Sequence, residues 1–99
     1  MSRYRVEMSR AVRETITHLP PELKQRVKNA LRSLAKDPYE AKELKEELVG
    51  LRSYRIGRSR LILRIARTAV EIVAFGPRSA IYERAAAELS ARLRRERKE

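Results

Sequence analysis

The stretch SRLILRIAR (59–67) leaves the chain little choice of architecture. Leu61, Leu63 and Ile65 alternate with Arg60, Ile62 and Arg64. A period of two places these sets on opposite faces of a β-strand, whereas a helix would scatter them around its circumference. Gly57 breaks the chain before this stretch, and a tight RTA turn (67–69) breaks it after. RSYRI (52–56) precedes it and alternates in the same way. VEIVAFG (70–76) follows and is more apolar. Three strands in succession with short turns predict an antiparallel sheet, which commonly covers one face with helices and leaves the other open.

YRVEMS (4–9) supplies a fourth strand, with Tyr4, Val6 and Met8 on one side. Residues 10–35 read as a helical hairpin. Ser9 caps a short helix over 10–18, whose face carries Val12, Ile16 and Leu19. HLPPELKQ breaks that helix, because proline cannot continue a helix interior. Pro21 suits the first turn of the next helix, which carries the stripe Leu23, Val27, Ala30, Leu31 and Leu34 and stops near KDP (36–38). YEAKELKEELVGL (39–51) stays open between a short helical turn and a loop. A last helix is predicted over 79–98, with Ile81, Ala85, Leu89 and Leu93 in line. That stripe is too narrow for a helix lying freely in water, so it should dock on the sheet or on a partner helix. Its charged end, RLRRERKE, should fray or need a partner. The fold class expected is α+β, in the order β-α-α-β-β-β(-α). It has a four-stranded, antiparallel-dominated sheet, a helical hairpin on one face and a C-terminal helix, all in one domain over residues 1–99.

Charge narrows the partners. Against 13 acidic residues stand 24 basic ones, a formal net charge of +11. This favours a polyanion: nucleic acid, an anionic membrane surface or an acidic protein. MSRYRVEMSR lacks the apolar run of a signal peptide, and no apolar stretch approaches membrane-spanning length, so a cytoplasmic protein without a membrane partner is expected. There is no Cys and a single His. No transition-metal site and no cofactor are therefore expected. His18 falls at the end of the first helix, where it meets the negative end of the helix dipole.

The chemistry-bearing residues are basic or phenolic. Arg52, Arg55, Arg58, Arg60, Arg64 and Arg67 occur with no acid among them. Guanidinium groups left uncompensated repel unless an anion joins them, and their forked donors suit phosphate. The alternative is a solvated sheet edge whose charges discourage aggregation. Six without an acid favour anion binding, with Glu71 on the next strand available to pair with one of them. AFGPRSAIYE (74–83) then runs from strand to helix and places Arg78 and Tyr82 at the rim of the same basic face.

These residues resemble a known family. The element order, the run LVGLRSYRIGRSRLILRI and the closing VEIVAFGPRSAIYERA resemble the RelE/ParE superfamily of bacterial and archaeal toxins across about residues 4–85. The resemblance implies a type II toxin with a cognate acidic antitoxin. RelE-type members cut messenger RNA on the ribosome, whereas ParE-type members inhibit DNA gyrase and are not nucleases. Arg55 matches a basic position on the second strand, Arg60 the third-strand Arg, Arg78 the Arg after the last strand and Tyr82 the following Tyr. ParE-type chains generally lack that final pair. The resemblance therefore implies a ribosome-dependent, metal-independent endoribonuclease. Its catalytic residues would be Arg60, Arg78 and Tyr82, and its RNA-binding residues Arg52, Arg55, Arg58 and Arg64. Operator DNA would be met only through the antitoxin complex. Two features depart from the pattern. Gly57 stands where RelE has a second Lys, with Arg58 beside it, and Ile81 precedes Tyr82 where another branch has His.

Overall fold

A computed structural model describes residues 4–97. The chain runs β1 (Arg5–Met8), α1 (Arg10–Thr17), α2 (Pro21–Lys36), a 3₁₀ turn (Pro38–Glu40), β2 (Lys42–Glu43), a second 3₁₀ turn (Glu46–Leu48), β3 (Arg52–Ile56), β4 (Ser59–Ala66), β5 (Ala69–Pro77) and α3 (Arg78–Arg97). The four expected strands are present. A fifth, β2, comes from the segment that the sequence left open between turn and loop. The strand order is β1-β5-β4-β3-β2. β1 pairs with β5 in parallel, and the other neighbours are antiparallel.

The helical hairpin forms as the sequence predicts. The Ser9 hydroxyl accepts from Val12 N at 3.2 Å and caps α1. His18 closes it with a ring nitrogen 2.8 Å from the Glu14 carbonyl. Val12, Ile16, Val27, Ala30 and Leu34 pack down onto Ile56, Leu61, Leu63, Val70, Ile72 and Phe75 to form the main core. β5 reaches this core only through a register shift. Ile62 pairs with Ala74 and Leu63 with Ile72, which leaves Val73 as the extra residue of a bulge. The bulge changes the alternation of β5, so that Val70, Ile72 and Phe75 all face one core. This is why VEIVAFG does not alternate cleanly.

The second face differs from expectation. It is not left open, because α3 lies across part of it. Ile81 and Ala85 join Leu51, Ile62 and Ala74 in a smaller core, with Leu89 half-buried beside them. Ile62, which shares its strand face with Arg60 and Arg64, is what the helix covers. The apolar stripe of α3 docks on the protein's own sheet as far as Leu89, whereas Leu93 is 48% exposed. The predicted end of this helix at Lys98 lies outside the described residues.

The two hairpins turn differently. Gly57 and Arg58 join β3 to β4, and Arg67 and Thr68 join β4 to β5. Each puts its first loop residue at positive φ: 61° at Gly57 and 48° at Arg67. Glycine adopts that backbone freely, and arginine does so at a cost. Arg67→Gly should therefore raise the urea midpoint and Gly57→Ala should lower it, each by the equivalent of about 1 kcal/mol. Chemical denaturation of the two variants checks the opposite signs.

Candidate active site

Register decides which arginines meet. Arg55 pairs directly with Arg60, and Ser53 with Ile62, so these four side chains share the face that α3 covers. Arg60 in turn pairs with Gly76 on β5. A Cβ on Gly76 would lie 3.0 Å from Arg84 Nη1 and 3.5 Å from Ile81 Cδ1. Its absence leaves room for the Arg84 guanidinium beside the strand exit, where the chain passes from β5 into α3 with no loop between them. The first residue of the helix is then Arg78, whose N–H donates to the Arg58 carbonyl at 3.2 Å. Tyr82 follows one turn later on the same helix face. The strand exit thus carries a guanidinium and a phenol to the end of the sheet where Arg55 and Arg60 already stand.

Together they line a groove of about 540 Å³, with Ser53, Arg55, Arg60, Arg78 and Tyr82 among its walls. Arg60 is half-buried at its side, not beneath the helical hairpin. The Tyr82 phenol is held below its ordinary range. The Ser53 hydroxyl, hydrogen-bonding to the phenol oxygen, is the main cause, opposed by burial and reinforced by the hydrogen bond and charge of Arg60 and the charge of Arg78. Each of these groups favours the phenolate. Such a groove can hold a phosphodiester between guanidinium groups and set a phenol beside it to move a proton. Among the described residues no group of three His, Asp or Glu could hold a metal ion.

Not every predicted arginine reaches the groove. Arg52 pairs with Leu63 and so faces the other side of the sheet. There it stacks on Tyr39, with its guanidinium carbon 4.9 Å from the ring centroid, and donates to the Ala41 carbonyl at 2.8 Å and to Glu43 at 3.2 Å. Arg64 shares the face of the groove but sits at the far end of β4, where Glu71 binds it at 2.6 Å. Both find acids outside the window 52–67, which is why that window looked uncompensated. Arg58 is exposed on the turn. Ser53, Lys42 and Glu40 also line the groove and were not singled out from the sequence. The alternation of RSYRI already put Ser53 on the same side as Arg55. Nothing in the acidic, aperiodic 39–51 segment marked Glu40 or Lys42.

The family model described as "ParE toxin of type II toxin-antitoxin system, parDE" matches residues 6–82. The toxin-antitoxin complex RelBE2 from Mycobacterium tuberculosis contains a chain 31% identical to this one, with a TM-score of 0.69 over 80% of this chain and 95% of that one. The archaeal RelE-RelB complex from Pyrococcus horikoshii is similar at 22% identity and a TM-score of 0.66, over 77% of this chain and 96% of that one. A mutant of the E. coli toxin RelE in the free state shares the fold at 16% identity and a TM-score of 0.73, covering 93% and 98% of the two chains. Among curated proteins none matches by sequence.

The low-lying phenol is directly measurable. The ultraviolet difference spectrum between wild type and Tyr82→Phe should show a tyrosine ionising below the ordinary value of about 10. Ser53→Ala should move that titration upward, and Arg60→Gln should do the same to a smaller extent. A Tyr82 titration that ignores both substitutions would contradict the geometry.

Proposed function

Because the chain belongs to the ParE toxin family of type II toxin-antitoxin systems, within the RelE/ParE superfamily, we propose that it arrests growth by cleaving messenger RNA on the ribosome. The observation that carries this reading is the meeting of Tyr82, its pKa lowered, with Arg60 and Arg78 in one groove. In the proposed reaction the ribose 2′-oxygen attacks the adjacent phosphorus and the 5′-oxygen leaves. Charge builds on the phosphoryl oxygens, and Arg60 and Arg78 stabilise it. Tyr82 exchanges a proton with the reacting oxygens, its phenolate made accessible by Ser53 and the two arginines. Arg55 grips the substrate backbone at the groove wall. The ribosome supplies the orientation that a shallow groove does not, and positioning of that kind carries much of a barrier.

A second reading has its own support, since the matching family model is that of the ParE toxins. In that reading the basic face binds a protein target, DNA gyrase, without catalysis. Primer extension on a translated messenger distinguishes the two: cleavage within codons supports the nuclease, and intact messenger with blocked supercoiling supports gyrase inhibition.

A partner follows from the same reading. Neighbouring structures are toxin-antitoxin complexes. A cognate antitoxin, acidic where it meets this +11 chain, would cover Arg55, Arg60 or Tyr82 or displace α3, and would bring the pair to operator DNA. The setting is the cytoplasm, where translation runs.

Arg60→Ala, Arg78→Ala and Tyr82→Phe should each relieve growth arrest and slow cleavage, by about 10²–10³ for the loss of a charge-stabilising donor, with thermal unfolding little changed. If Tyr82 acts as the base, the cleavage rate climbs with pH up to its lowered pKa, and Ser53→Ala shifts that limb to higher pH. The pure protein should cut free RNA far more slowly than ribosome-bound messenger. Rapid ribosome-free cleavage would contradict the division of labour.

A further inference from the structure

The outer edge of β3 separates two hollows. β2 covers that edge only at Arg52 and Ser53. The reaction groove lies on the α3 side. On the α2 side lies a second hollow of about 290 Å³, lined by Arg26, Asn29, Ala30, Tyr54, Arg55 and Ile56. Tyr54 and Arg55 line both. The two hollows therefore meet along these two neighbouring residues of β3.

Arg26 reaches from α2 to the β3–β4 turn. A Cβ on Gly57 would lie 3.2 Å from its Nη1 and 3.6 Å from its Nη2, so the guanidinium rests over the glycine. From the other side, Arg55 Nε donates to the Gly57 carbonyl at 3.3 Å. Two guanidinium groups thus converge on one residue, with Arg58 next in the chain. Among the described residues Glu7, Glu43 and Glu71 form ion pairs with Arg5, Arg52 and Arg64, and these pairs do not include Arg26, Arg55 or Arg58. The Asn29 side-chain oxygen accepts from Gln25 at 3.1 Å, which leaves the Asn29 amide nitrogen as a donor. The rest of α2 adds Lys24, Lys28, Arg32 and Lys36 against a single acid, Glu22. Arg26 and Arg55, which meet at Gly57, repel until an anion joins them.

We propose that Arg26, Asn29 and Arg55 form a second phosphate-binding subsite, which holds a phosphodiester of the same RNA strand that occupies the reaction groove. The inference rests on the nuclease reading above. Continuity through Arg55 favours RNA over a protein carboxylate, because a strand in the groove carries its next phosphates toward this hollow. The apolar lining residues Ala30 and Ile56 are buried in the core, so an apolar anchor of a docking protein would have only the half-buried Tyr54 to pack on. Forked guanidinium donors suit a phosphate.

The test uses non-cleavable 2′-O-methyl oligonucleotides of two lengths, one too short to span both hollows and one long enough, titrated by fluorescence anisotropy over a range of salt. Alanine at this exposed helical position preserves α2. The longer ligand should bind wild type more tightly than the shorter. Arg26→Ala should remove about tenfold of that gain and reduce the slope of log K against log salt by about 0.7, while the shorter ligand loses far less. Arg26→Lys should keep the slope and lose part of the affinity, since a point charge replaces a fork. Unchanged affinity and slope in Arg26→Ala overturn the subsite alone. Wild type that binds neither ligand overturns the subsite, while the nuclease reading stands or falls separately on primer extension with ribosome-bound messenger. An Arg26→Ala protein that binds RNA normally but captures a cognate antitoxin poorly overturns the subsite in favour of a protein carboxylate.

Discussion

β4 is hydrogen-bonded along both edges and packed on both faces, so its register fixes the rest of the molecule. Slipping it by one residue would exchange its faces. Arg60 would then be driven beneath α2, and Leu61 and Leu63 would be turned toward α3. Burial of the two leucines, each fully excluded from solvent, makes that slip costly, at about 1.5–3 kcal/mol for each side chain that loses its apolar seat. The catalytic candidates are therefore held in place by residues on the opposite face. Arg60 stands beside Arg55 because Leu61 and Leu63 can only point the other way.

Electrostatics then divides the arginines by use. Arg52 and Arg64 are tied down by Glu43 and Glu71, and both contacts brace sheet ends. Arg55, Arg60 and Arg78 shape the groove and are in none of these ion pairs, the acid on its wall, Glu40, being bonded to the Ser33 hydroxyl. An arrangement of like charges works against folding and in favour of an anionic ligand, and it falls where the fold has least to lose, at the open end of β3 and the first turn of α3. Behind the larger effect of the Ser53 hydrogen bond, Arg60 and Arg78 also help to lower the Tyr82 pKa.

Legibility from sequence followed periodicity. The alternation of SRLILRIAR and the stripes of α1 and α2 placed the main core correctly, because each residue's facing depends only on its near neighbours. The placement of Arg60, Arg78 and Tyr82 at one end of the sheet was legible for a related reason, since each sits one short step from a turn or strand that the pattern had already located; the roles proposed for them come from the family resemblance. What escaped depends on distant partners. β2 is two residues long and has no period to read. The Val73 bulge is visible only through the strands it pairs and packs against. The sequence offered Glu71 as a partner for one of the arginines, but that the one is Arg64, and that Arg52 pairs with Glu43, needed the sheet to be assembled first. The same holds for Arg26, which lies on α2, far in sequence from Gly57, and meets it only through packing.

α3 joins stability to chemistry in a way neither alone would require. One side of its first two turns carries Ile81 and Ala85 into the smaller core, and the same turns carry Arg78 and Tyr82 to the groove. The smaller core is shallow: five buried residues, two of them alanine. Few buried apolar contacts mean a low free energy of local opening. α3 can therefore open while the main core beneath α1 and α2 stays intact. A competitor for the seat of Ile81 and Ala85 would remove Arg78 and Tyr82 from Arg60 without touching any of the three. On the nuclease reading, activity would be coupled to the docking of α3, which seats Leu89 against the smaller core and leaves Leu93 exposed.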